Sequence, residues 1–133
     1  MANASTFVAN KLLDHAFGGP AYPQPTPYVG LFTTTPTMPA GTGGTEVSGT
    51  GTAYVRVALT GSQAAAAGGS KSNNAVLTWP QATANYGTVT GVGVFDAPTG
   101  GNLMAAGPLN ASEVVNNLDT FQFAVSTLIE TLS

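Results

Sequence analysis

The chain has no cysteine, so neither a disulfide framework nor a thiolate metal site can be built from it. Charge is almost as scarce. Only 7% of the residues are Asp, Glu, Lys or Arg, against about 25% in a typical soluble domain. The three cations, Lys11, Arg56 and Lys71, stand apart in the sequence and face six acids, for a net charge of -3. Binding a nucleic-acid backbone takes several clustered Lys or Arg, and attraction to an anionic membrane surface takes the same. Neither nucleic acid nor a membrane is therefore an expected partner. No apolar run reaches the ~18 residues of a membrane span, because Gly, Pro, Thr or Asn interrupts each one. Lys11 follows the first apolar residues, the wrong order for a signal peptide. Use without Sec export is expected.

Hydrophobic residues make up 43% of the chain. Disordered chains combine low hydrophobicity with high charge, so this one should fold, and at 133 residues it has the size of one ordinary domain that buries roughly 68% of its unfolded surface. Its surface must then be built from Thr, Ser, Asn, Gln, Gly and Ala. Copies with so little charge repel each other weakly and tend to associate, which suits a dense assembly.

Residues 5 to 17, "STFVANKLLDHAF", predict a helix. Val8, Leu12 and Ala16, with Leu13 and Phe17, fall at i, i+4 spacings, Ser5 is placed to cap the first turn, and Gly18, Gly19 and Pro20 stop it. Strands are predicted at 27–35, 52–61, 74–79 and 87–97 from period-two alternation. In "DAPTGGN", Pro98 pre-sets a turn and Gly100 and Gly101 are free to take positive φ, so Val92 to Phe95 should pair with Leu103 to Ala106. After a turn at Asn116 to Asp119, the alternation of Phe121, Phe123, Val125 and Thr127 predicts one long strand. Two inserts, 35–51 and 61–74, read as contact loops or mobile segments. About seven closely spaced strands after one helix predict a mainly β single domain over residues 1–133. The architecture expected is an antiparallel β-sandwich, jelly-roll-like, with one N-terminal α-helix and strands across residues 27–133.

Candidate chemistry is sparse. His15, the one histidine, sits beside Asp14 on the predicted helix, and adjacent helical residues do not face each other. The acids Asp14, Glu46, Asp96, Glu113, Asp119 and Glu130 are scattered singly, with no spacing that pairs two across a cleft. Asp96 and Asp119 read as turn acceptors. "GTGGTEVSGTG" lacks the Lys-Ser/Thr ending of a phosphate-binding loop, and no helix is predicted after it. Trp79, Tyr54 and Tyr86 could stack on a sugar or base, with core packing the favoured alternative. No catalytic residue, cofactor site or metal site is assigned, and the chain is not expected to be an enzyme.

Taken in order, "ANKLLDHAFGGPAY", "TPYVGLFTTTPT", "YVRVALT", "KSNNAVLTWPQATANYGTVTGVGVFDAPTGGNLMAAGPL" and "DTFQFAVSTLIETL" resemble a family of small tailed-phage virion proteins labelled as structural, tail-fibre or minor capsid proteins. The resemblance implies a non-enzymatic building block of the particle, made in the bacterial host cytoplasm and located in the virion. Low charge and a sandwich fold favour a decoration or cement protein on the outer capsid. It would bridge subunits of the major capsid protein as a homo-oligomer, with a trimer favoured. The alternative is a tail component, either a fibre-attachment connector or a receptor-contacting tip. Candidate contacts are the residues outside the strand pattern: Leu12, Leu13 and Phe17 on the helix, Met38, and Ala65 and Ala66 in the second insert.

Overall fold

The structure, a computed structural model, describes residues 2–132, so only the two end positions of the expected domain lie outside it. In chain order the elements are β1 (Ala2–Ala4), α1 (Thr6–Phe17), β2 (Tyr28–Thr34), β3 (Thr45–Glu46), β4 (Val57–Ala58) and β5 (Ser70–Ser72). They continue with β6 (Leu77–Thr78), β7 (Gly87–Phe95), β8 (Leu103–Val115), β9 (Gln122–Phe123) and β10 (Ile129–Thr131). The expected mainly β sandwich with one N-terminal helix is found. Its two layers are unequal: an 8-stranded sheet runs β3-β2-β7-β8-β1-β10-β5 with β4 paired to β2, and β6-β9 form a 2-stranded sheet. One pairing, β1 with β10, is parallel.

The centre of the large sheet is the hairpin that the turn residues predict. Val94 pairs with Ala105 and Phe95 with Leu103, and Asp96 Oδ1 accepts the Asn102 backbone N–H at 2.7 Å. β2 lies on the other side of β7, pairing Val29 with Val94, Leu31 with Val92 and Gly30 with Gly93. Partners directly opposite share a face. Val29, Leu31, Val92 and Val94 therefore form one buried apolar patch, while the stacked rings of Phe32 and Phe95, 6.0 Å apart, lie on the other face. Strict period-two alternation along 87–97 would put Val89 on the face of Gly91, Gly93 and Phe95, but Val89 is in the core. The β7–β8 register shifts between Val89 and Gly91, which resets the alternation.

Irregular chain supplies most of the opposing layer. Trp79, Phe121 and Phe123 pack edge to face at 5.2–5.8 Å between centroids, and Tyr54 meets Tyr86 at 5.6 Å. These aromatics are core residues, as favoured over stacking on a ligand. Three predicted strands shrink. Segment 52–61 keeps only Val57–Ala58 and segment 74–79 only Leu77–Thr78. The long strand through Phe121 to Thr127 stops after Phe123, because the chain turns through Ser126 at φ 63 and re-forms as β10. Asn73, fully buried, holds that turn. Its amide donates to the carbonyls of Ala75 and Ala124, and its Oδ1 accepts from the Leu128 N–H at 3.0 Å.

Candidate functional site

α1 begins as the sequence predicts. Ser5 Oγ accepts the Val8 N–H at 3.2 Å, and the Ser5 and Thr6 amides donate to the carbonyls of Met104 and Pro39. At its end Gly18 takes φ 104, a conformation that disfavours any residue with a Cβ, and the Gly19 N–H donates to the Asp14 carbonyl. The anchoring is confined to the start of the helix. Val8 packs against the core, yet no helical residue is buried, and exposure rises from 37% at Leu12 through 55% at Leu13 to 82% at Phe17.

Below the start of α1 lies an open cavity of about 420 Å³. Its walls are apolar: Val8 and Leu12 from the helix, Leu59 from the segment after β4, Met104 from β8 and Leu132 after β10. This volume falls within the roughly 300–1,000 Å³ typical of binding pockets. Lys71 and Glu130 supply the charged groups of the wall. Lys71 is exposed and its Nζ donates to the Ala64 carbonyl at 2.6 Å. Glu130 Oε1 accepts from Gln63 Nε2 at 2.9 Å, while Glu130 Oε2 and Gln63 Oε1 are buried with no partner among the described residues. Burial pushes the Glu130 carboxyl above its ordinary pKa, against the smaller opposing pull of Gln63 and Lys71.

The structure brings two of the sequence-selected contacts, Leu12 and Ala66, to this cavity. Leu13 and Phe17 lie further along the helix in solvent, and Ala65 is exposed outside the cavity wall. Met38 is half-buried in a turn tied to the helix start through the Pro39 carbonyl. Leu59, Gln63, Glu130 and Leu132 escape sequence reasoning. Glu130 and Leu132 arrive because β10 runs beside β1 at one edge and β5 at the other, while Leu59 is held by its N–H on the Pro27 carbonyl and Gln63 by a bridge to Asn73, pairings no local signal announces.

His15 and four of the acids, Glu46, Asp96, Asp119 and Glu130, have structural partners. His15 Nδ1 accepts the Tyr22 N–H at 3.0 Å. Asp96 accepts from the side chain and the backbone of Asn102, which hold its pKa below the ordinary value, and Asp119 accepts from the Asn116 N–H. Glu46 binds Arg56 through both oxygens at 2.8 Å and accepts the Tyr54 hydroxyl at 2.7 Å. Burial, ahead of that carboxylate contact, raises the Tyr54 phenol far above its usual pKa. Among the described residues no group of three or more His, Cys, Asp or Glu could hold a metal ion, and no helix is long and apolar enough to cross a membrane. The geometry offers an apolar contact surface, made of the α1 stripe and the cavity at its foot.

A family model described as Podophage GP4 fiber I protein gp80 matches residues 3–131. No curated protein matches the chain.

Proposed function

The chain belongs to the family of the podophage GP4 fiber I protein gp80 and so to a family of phage virion structural proteins, and from that premise we propose that it is a non-enzymatic component of the tail fibre. The observation that carries the reading is the family match over nearly the whole chain, together with the word fiber in its description. The site supports it in kind. Asp96 and Asp119 are engaged in turns and Glu46 in an ion pair, whereas the apolar groups at α1 are left uncovered.

The expectation of a capsid decoration protein rests on low charge and a sandwich fold, and both suit a fibre subunit equally. The two readings differ in partner and in number. A decoration protein would bind the major capsid protein at hundreds of sites, whereas a fibre component would bind a tail subunit or a second copy of itself at few. Counting copies per particle by quantitative mass spectrometry against the major capsid protein tests the choice. A ratio far below one copy per capsid subunit is expected, and a near-stoichiometric ratio would overturn the fibre reading.

A further inference from the structure

We propose that the cavity at the foot of α1 receives the Phe17 end of α1 from a second copy of this chain. Phe17 is 82% exposed, and an aromatic side chain offers 150–250 Å² for burial, at roughly this scale the largest single gain open to an apolar knob. It cannot fill its own cavity. Phe17 follows Leu12 by five residues on one rigid helix, which puts it about 7.5 Å further along the axis, away from the wall that Val8 and Leu12 line. The knob and the hole are thus both unfilled in one copy and can satisfy each other only between copies.

Charge sets the direction of docking. Asp14 is exposed one turn before Phe17, close to it on the helix surface. The receiving wall carries Lys71, exposed and bonded to one neutral carbonyl, that of Ala64, whereas Arg56 is committed to the carboxylate of Glu46 and Lys11 lies 5.9 Å over the Phe7 ring. Seating Phe17 therefore carries Asp14 toward Lys71. Glu130 on the same wall is half-buried with one oxygen bonded to Gln63 Nε2, so the exposed Lys71 is the charged group of the wall more open to an incoming carboxylate. Knob and hole are different surfaces, so the contact is heterologous and grows into a closed ring or an open chain of copies. A net charge of -3 spread over 133 residues does little to prevent it.

The test is sedimentation equilibrium of the purified full chain over a concentration series, with circular dichroism confirming the fold of each variant. The wild type should associate. Phe17→Ser should weaken association about 30-fold or more, as for a central aromatic anchor. Asp14→Lys and Lys71→Glu should each weaken it roughly two- to five-fold, and the double variant should recover most of that loss. A wild type that stays monomeric, a Phe17→Ser chain that associates as tightly as the wild type, or a double variant no tighter than the single ones would overturn the proposal.

Discussion

The guanidinium of Arg56 lies over the ring of Phe95, its central carbon 3.4 Å from the ring centroid, while Nη1 of the same group donates to the carbonyls of Ala97 and Gly100 in the hairpin turn. Its remaining nitrogens bind Glu46. One side chain thus joins β3, the end of β7 and the turn that the sequence marks with Pro98 and two glycines. The arrangement needs a planar cation with several donors, which lysine does not provide.

Arg56→Met should destabilise the chain by about 2–4 kcal/mol, because it leaves Glu46 without its cation and two turn carbonyls without a donor. Arg56→Lys should recover less than half of that loss. Urea unfolding followed by tryptophan fluorescence measures both.

Asn73→Ala should cost about 2–4 kcal/mol, since it removes the three hydrogen bonds of a fully buried side chain and takes from the Ala75 carbonyl and the Leu128 N–H their Asn73 partner, the Ala124 carbonyl keeping Thr127. Asn73→Asp should be at least as damaging, because a carboxylate cannot donate to either carbonyl. Hydrogen exchange should show the segment from Ala124 to Leu128 opening first.

Gly93→Ala should destabilise by about 1–3 kcal/mol through overpacking. A Cβ there would lie 2.6 Å from Phe32 Cε2 and 2.9 Å from Leu103 Cδ1, and pairing with Gly30 keeps the backbone from moving away. Denaturant titration of the variant checks the figure.

Glu130 makes stability depend on pH with a definite sign. Its folded pKa is raised above the ordinary value of 4.5, so the native state favours the protonated acid. That contribution is fully present below 4.5 and is lost as pH rises through the folded value. Asp96, with its pKa lowered from 3.8, acts in the opposite sense, and its contribution is lost as pH falls through its folded value. The melting temperature of the wild type should therefore fall from about 4.5 toward neutral pH, while Glu130→Gln stays flatter and melts higher at neutral pH.

What could be read in the sequence follows the range of the forces involved. The start of α1 at Ser5, its stop at Gly18 and the hairpin closed by Asp96 and Asn102 depend on residues within a few positions of each other, and all are found. The long strand through Phe121 to Thr127 fails because Asn73, far away in the chain, bends it. The cavity was half legible. Leu12 and Ala66 stand out as apolar or small residues outside the strand pattern, whereas Glu130 and Leu132 reach it only through the β1–β10 pairing. The Arg56–Glu46 pair was hidden for the same reason: only the approach of β3 and β4 to β2 brings the two together.

The most direct test of the fibre assignment is to label purified virions with a gold-conjugated antibody against this chain and to score heads against tails by electron microscopy. The account predicts gold confined to the tail and its fibres. Dense gold over the heads would contradict it and point to a decoration protein on the capsid.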